Sequence, residues 1–109
     1  MNRDRLYLVH MREAIQNIMD YTVGGRDAFM SDRKTRDAVV RNFEIIGEAT
    51  KRLSDGVKST HPEVRWRDVA GFRDILIHVY EGVDYVEVWN IVANHLPGLR
   101  DAVDSLLAS

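Results

Sequence analysis

A chain of 109 residues is long enough to enclose one hydrophobic core and too short for two, so we expect one domain over residues 1–109. It has no cysteine, which excludes a disulfide framework and a thiolate metal site. No apolar run approaches the roughly 20 residues that cross a bilayer, and segment 1–5 carries acid without the long apolar region of a signal peptide. We therefore expect a soluble, cytoplasmic protein.

The net charge of -2 is unevenly distributed along the chain. Residues 26–73 contain eleven Lys and Arg against eight Asp and Glu, whereas residues 74–109 contain one basic residue against six acidic ones. Two interpretations stay open. Solvated helix faces commonly produce such a pattern. A modest basic zone suited to a polyanion, with an acidic surface left for a basic partner, would produce it as well.

The first amphipathic segment predicts a helix over about residues 3–22, which Gly24 and Gly25 end. Its apolar positions recur at spacings of three and four, as expected for one buried face. They are Leu8, Met11, Ile15, Ile18 and Thr22. A short turn at residues 28–30 follows.

Asp32 is a suitable N-cap for a second helix, over about residues 32–54. The stripe predicted to face the core comprises Val39, Phe43, Ile46, Thr50 and Leu53. Gly56 is suited to a left-handed cap at the end of this helix, and residues 57–64 are then a loop.

The C-terminal half also has helical character. We predict a helical segment over residues 63–80, broken near Gly71, and a further helix from Asp84, its N-cap, to about His95. Pro97 either kinks that helix or begins a new one. With two prolines and no alternating strand pattern, the sequence predicts an all-α fold, an up-and-down bundle of four to five helices.

The stretch from Arg73 to Tyr80 contains three side chains able to act on a phosphodiester, set within an apolar run. Arg73 offers forked donors that match phosphate oxygens. His78 can move a proton near neutral pH. Tyr80 supplies a hydroxyl two residues further on.

On an ideal helix of about 100° per residue, this stretch would form separate sectors. Arg73, Ile77 and Tyr80 would share one sector. Asp74 and His78 would share another, so that the carboxylate could orient the imidazole. Arg73 and His78 would point roughly 140° apart, which leaves two ways to unite them: the long arginine stem reaches around, or two copies of the helix meet across a twofold axis.

The stretch resembles the RX4HXY signature of HepT-type toxins in the HEPN superfamily of ribonucleases. The resemblance extends along the chain. The matching segments are Ile46–Ala49, His61–Trp66, Ala70–Asp74, Asp84, Trp89 and Leu96–Leu99. It is the ordered set, more than the arginine-to-histidine spacing, that is specific.

This resemblance implies an RNA-cleaving toxin that acts as a homodimer through the motif helix, with higher assembly left open. Arg73 and His78 would be its catalytic residues, and Tyr80 the site to which an MntA-type nucleotidyltransferase antitoxin adds AMP. The superfamily often has asparagine after the arginine. Here Asp74 stands there, and an ionised carboxylate cannot donate to a phosphate, so we assign it a supporting role beside His78.

Such an enzyme needs no cofactor and no metal, because RNA carries its own nucleophile in the 2′-hydroxyl. His78 would transfer protons and Arg73 would stabilise the anionic phosphorane. One histidine cannot easily serve as base and acid together, and a dimer would supply two. The products would be a 2′,3′-cyclic phosphate and a 5′-hydroxyl.

Other functions remain to be weighed against this one. A di-iron bundle would need Glu-x-x-His pairs, which the sequence lacks, and a helix-turn-helix protein would need a basic recognition helix. The main alternative is a catalytically silent HEPN subunit that presents substrate or nucleotide to a nucleotidyltransferase.

We expect Glu48 to be a buried partner for an arginine, Gly47 to admit a close helix, and Trp66 and Trp89 to be packing anchors. The remaining histidines, His10, His61 and His95, are expected at the surface or at caps.

Overall fold

The computed structural model describes residues 3–72, 74, 77–78 and 82–109, with only the backbone described at 77–78. Seven helices and one short β-ribbon lie within these residues. The helices are α1 (Arg3–Tyr21), α2 (Gly25–Ser31), α3 (Arg33–Arg52), α4 (Asp55–Ser59), α5 (Trp66–Ala70), α6 (Tyr85–Asn94) and α7 (Leu96–Ala108). The strands are β1 (Ile77–His78) and β2 (Gly82–Val83), and they pair antiparallel. The predicted all-α class is confirmed, with this ribbon as its one β feature in the described chain.

Helices α1 and α3 form the centre of the fold and run antiparallel. Asp4, near the start of α1, bonds Ser54 beyond the end of α3, while Asn17 near the other end of α1 bonds Asn42. Helix α7 also runs antiparallel to α1, since Arg5 donates to the carbonyl of Leu107. The predicted up-and-down arrangement therefore holds for these three long helices.

The predicted apolar stripes of the two long helices are confirmed. Every predicted position of α3 is buried, and in α1 all but the half-buried Thr22 are buried. The core residues with no exposed surface include Met11, Ile15, Ile18, Val39 and Ile46. Apolar spacing alone located this core because both helices bury one continuous face.

Two predicted helix starts are also confirmed, and the structure decides a third that the sequence left open. Asp32 accepts a hydrogen bond from the backbone N–H of Lys34 at 3.1 Å and caps α3. Asp84 accepts from the N–H of Glu87 at 3.1 Å and caps α6. Pro97 lies in the first turn of α7, where its missing N–H costs nothing, so it begins a helix and does not kink one.

Three local predictions are wrong. The predicted turn at residues 28–30 lies inside α2, and the predicted cap Gly56 lies inside α4. Helix α4 also includes residues 57–59, so the first part of the predicted loop over residues 57–64 is helical. The second long helix ends because Leu53 is extended, and Ser54 then accepts a hydrogen bond from the N–H of Val57 and caps α4. Helix α3 therefore ends at an extended residue followed by the N-cap Ser54 of the next helix, and not at a left-handed glycine.

The helical segment predicted over residues 63–80 has the predicted break at Gly71, where α5 ends, but the prediction is wrong at both ends of the segment. Helix α5 begins at Trp66, and the backbone of Ile77 and His78 forms a strand. Ile77 pairs with Val83 and His78 with Gly82. The β-branched Ile77 and Val83 favour extended backbone, and Gly82 has a φ of 79°, which a continuous helix does not allow.

Among the described helices, none is both long enough and apolar enough to cross a membrane.

Candidate active site

The predicted site residues fall in and around the connection between α5 and α6. Arg73 and Tyr80 lie outside the described residues. Asp74 is exposed and in helical conformation, whereas the backbone of His78 is in β1. The predicted i, i+4 contact between Asp74 and His78 requires an unbroken helix through both residues, and the chain does not form one. Because His78 is in a strand, the angle of roughly 140° that an ideal helix would place between Arg73 and His78 no longer applies.

The N-terminal end of the motif is fixed by a phenylalanine. Gly71 ends α5, its N–H bonded to carbonyls of the preceding turn. Phe72 is buried and meets Phe43 of α3 edge to face, with ring centroids 5.2 Å apart. Such aromatic pairs add about 0.5–1.5 kcal/mol beyond burial alone. The residue directly before Arg73 is therefore held by the centre of the fold.

Helix α5 lies unusually close to α3. A Cβ built on Gly47 would lie 3.2 Å from the carbonyl oxygen of Ala70, so the expectation that Gly47 admits a close helix is confirmed. Glu48, in contrast, is not buried against an arginine as predicted. Its carboxylate is exposed and pairs with Lys51 at 3.4 Å, because it lies on the outer side of α3.

The indole of Trp66 ties the loop before α5 to its first residue. Its Nε1 donates to the carbonyl oxygens of Lys58 and His61 at 3.0 and 3.1 Å. The ring is buried, so the prediction that Trp66 is an anchor is confirmed. This bond pattern sets the direction in which α5 leads towards the motif.

The C-terminal end of the motif is fixed by a second aromatic group. Tyr85, the first residue of α6, lies under the guanidinium of Arg36, whose carbon is 4.9 Å from the ring centroid. Phe29 meets the Tyr85 ring at 6.4 Å and the Trp89 ring at 5.5 Å. Trp89 is thus the packing anchor that the sequence predicts. Arg36 and Tyr85 were not predicted, since no local pattern links residues so far apart in the chain.

A groove of about 390 Å³ lies beside Phe72, between α5, α6 and α7. Its floor is apolar and includes Val69, Ile91 and Leu99. Its rim carries charges of both signs, among them Arg65, which pairs with Asp68 at 2.8 Å. The groove therefore offers apolar contact next to the start of the motif, without a net basic lining.

The basic zone of the sequence is partly neutralised in the fold. Arg33 pairs with Asp37 at 3.7 Å, and the pairs already described take Lys51 and Arg65. Lys34, Arg41, Arg52 and Arg67 are exposed. These pairs favour the interpretation of solvated helix faces over that of a strongly basic surface.

The other histidines are where the sequence predicts them. His10 is exposed beside Tyr7, His95 lies at the junction of α6 and α7, and His61 bonds Glu63 through Nδ1 at 2.8 Å. The hydrogen bond from His61 lowers the pKa of Glu63 below its ordinary value. Across residues 3–72 and 82–109, no group of three or more His, Asp or Glu side chains is arranged to hold a metal ion.

Comparison with known proteins shows the family of the chain. A family model described as Ribonuclease HepT-like matches residues 11–106. The chain is 42% identical over 102 residues to "Probable ribonuclease HepT" of Thermococcus cleftensis, which covers 92% of each chain. It is 40% identical over 104 residues to "Putative RNase MJ0127" of Methanocaldococcus jannaschii, covering 94% of this chain and 86% of that protein. No solved structure matches. With a match over most of its length and these two relatives, the chain belongs to the HepT-like ribonuclease family.

Proposed function

We propose that this protein is a metal-independent endoribonuclease, and that Arg73 and His78 are its catalytic residues. The observation that carries the proposal is the complete RX4HXY motif of a HepT-like chain, set between two fixed points, Phe72 and Tyr85, that both pack on α3. A motif held at both ends suits a site that must present a cation and a proton-transfer group to one phosphate.

The chemistry needs only groups that the chain and its substrate supply. One His78 takes the proton of the 2′-hydroxyl, and the freed oxygen attacks the adjacent phosphorus. Arg73 stabilises the crowded anionic phosphorane through paired donors. A protonated imidazole then gives a proton to the departing 5′-oxygen, leaving a 2′,3′-cyclic phosphate and a 5′-hydroxyl.

A homodimer would supply the second imidazole. Because Ile77 and His78 form a strand, the angle between Arg73 and His78 on a helix is no longer a reason to expect a dimer. The reason that remains is chemical, because one imidazole can hardly be base and acid in the same displacement. Asp74 keeps only a supporting role, exercised from an exposed position.

The experiment is digestion of total RNA by the purified protein in excess EDTA, followed by analysis of the new ends. Cyclic phosphates that disappear in His78→Ala and Arg73→Ala are the expected result. His10→Ala is the matched control, since this exposed histidine lies on α1 outside the motif. Cleavage that survives His78→Ala would contradict the proposal, and cleavage that requires an added divalent ion would contradict its metal independence.

We further propose that the enzyme is the toxin of a type VII, HepT/MntA-like toxin–antitoxin system, silenced by AMP on Tyr80. Each AMP adds a negative phosphodiester near Arg73 in the sequence, so it would compete with RNA for the guanidinium. Incubation with labelled ATP and the cognate nucleotidyltransferase tests this. Tyr80→Phe should abolish labelling, while Tyr21→Phe, which removes a tyrosine 46% exposed on α1, should not.

Expression in cells separates the toxin from a catalytically silent subunit. The wild-type protein should arrest growth, and His78→Ala should relieve the arrest. Equal arrest by both proteins would favour a binding function in place of nuclease activity.

A further inference from the structure

Arg36 occupies an unusual position for a helix-surface arginine. Part of its side chain is covered, and its Nε is buried without an acceptor among the described residues. One terminal nitrogen, Nη1, donates to the carbonyl oxygen of Met30 in the last turn of α2. The flat face of the guanidinium lies over the Tyr85 ring, 4.9 Å from its centroid. These contacts hold the guanidinium against the fold instead of leaving it in solvent.

The contact partner, Tyr85, leads directly to the motif. It begins α6, and its neighbour Asp84 caps that helix. The two residues before Asp84 form β2, which pairs with the strand that contains His78. Only two residues, Val83 and Asp84, therefore lie between Tyr85 and Gly82, the ribbon partner of His78.

Arg36 and Phe43 lie seven residues apart on α3. Seven residues make about two turns, or about 10 Å along the axis, so the two side chains lie on the same side of the helix. Phe43 holds Phe72, directly before the motif, and Arg36 holds Tyr85, directly after the ribbon. One face of α3 thus fixes both ends of the segment that carries the motif.

From this arrangement we infer that Arg36 is a positioning residue: its contact with Tyr85 holds the ribbon, and hence His78, in place for reaction. Its effect on cleavage rests on the proposed ribonuclease function. Its effect on the ribbon does not, because the contact exists whether or not RNA is cut. Arg36 acts through Tyr85 and not on the substrate itself.

Hydrogen exchange of the free protein tests the inference without any activity. Arg36→Met keeps an unbranched stem and removes the guanidinium. We expect exchange of the amides in residues 77–83 to become at least about tenfold faster, while the amides of α1 do not change. Arg33→Met is the matched control, since Arg33 is 86% exposed on the same helix and pairs only with Asp37 among the described residues. Exchange at 77–83 that matches the control would overturn the inference.

Kinetics on RNA supply the second measurement. A displaced His78 lowers kcat more than it raises KM, so Arg36→Met should reduce kcat about tenfold or more and change KM less than about threefold. Arg36→Lys should keep kcat within about threefold, because an ammonium group can also lie over the Tyr85 ring. A change in KM alone would overturn the inference.

The ring itself provides a third variant pair. Tyr85→Leu should lower kcat as Arg36→Met does, and the double variant should be no slower than either single one, because both remove the same contact. Tyr85→Phe keeps the π face and should remain near wild type. Multiplicative losses in the double variant would contradict a shared contact. A wild-type protein that cleaves no RNA would count against the proposed function, and the hydrogen-exchange result would still decide the role of Arg36.

Discussion

Gly47 and Ala70 approach each other so closely that a methyl group on the first would lie 3.2 Å from the carbonyl oxygen of the second. The contact joins the middle of α3 to the last turn of α5. Because Ala70 stands three residues before Arg73, the distance between these two helices also sets where the motif begins.

We expect Gly47→Ala to lower the free energy of unfolding. Alanine gains about 1 kcal/mol of helix propensity over glycine, whereas crowding a packed interface costs about 1–3 kcal/mol, so the net loss should be about 1 kcal/mol. Urea unfolding measures it. Gly98→Ala in α7 is the control, because a Cβ there meets nothing within 4 Å, and it should gain about 0.5 kcal/mol. Equal stabilisation by both substitutions would show that α5 moves away from the added methyl group at little cost in free energy.

Trp66→Phe isolates the indole donor from the ring. The variant keeps most of the buried ring but leaves the carbonyl oxygens of Lys58 and His61 without the Nε1 donor. The expected loss is about 1 kcal/mol for the hydrogen bond, together with a similar packing term. Trp89→Phe is the reference, since its ring contact with Phe29 is one of packing. A loss no larger than that of Trp89→Phe would assign the role of Trp66 to packing alone.

Acid should weaken the contact between Asp4 and Ser54. The backbone N–H and hydroxyl of Ser54 both donate to the Asp4 carboxylate at 2.8 Å, which lowers the pKa of Asp4 below its ordinary value of 3.8. Because the pKa is lower in the folded state, the ionised Asp4 stabilises the fold at pH values above the ordinary pKa of 3.8. This stabilisation is lost as the pH falls through the folded-state pKa. Asp4→Asn should therefore lower Tm by about 3 °C near pH 7, and the difference from wild type should shrink below about pH 4.

The control for this substitution is Glu13→Gln, which removes an exposed carboxylate on the outer side of the same helix. Its Tm near pH 7 should be close to that of the wild type. A Tm difference for Asp4→Asn that is the same at pH 7 and at pH 3 would mean that the Ser54 contact does not depend on ionisation.

Asp74→Asn should have a small effect on RNA cleavage. The carboxylate is exposed, and its helical turn does not continue to His78, so we expect kcat within about fivefold of wild type, well under the 10²–10⁴-fold that proton-transfer groups contribute. His78→Ala in the same assay sets the scale. A loss for Asp74→Asn as large as that for His78→Ala would restore a direct role for this carboxylate.

The sequence predicted the long helices better than the backbone of the segment that carries the motif. The stripes of α1 and α3 and the caps at Asp32 and Asp84 depend on local spacing and local hydrogen bonds, which a single chain displays openly. The strand at Ile77 and His78 was not predicted, because a short apolar run fits a helix or a strand equally well. Its β-branched residues and the glycine at position 82 were the signal that favoured the strand.

Two other failures have different causes, one local and one long-range. Glu48 was expected inside because it follows Gly47, yet one step along a helix turns a side chain by about 100° and takes it out of the interface. Arg36 and Tyr85 are 49 residues apart, and neither has a pattern of its own. Helix α2, which packs against both α3 and α6, brings them together.

The placement of Trp89 allows the intrinsic tryptophan fluorescence of this protein to report on the surroundings of the motif. The chain has two tryptophans, and they lie in separate environments: Trp66 beside the loop before α5, and Trp89 against Phe29 in the cluster that includes Tyr85. In a Trp66→Phe background, all indole emission would come from the cluster that supports the ribbon. Changes at the motif, whether on RNA binding or on addition of AMP, should then be readable from intrinsic fluorescence without any attached dye.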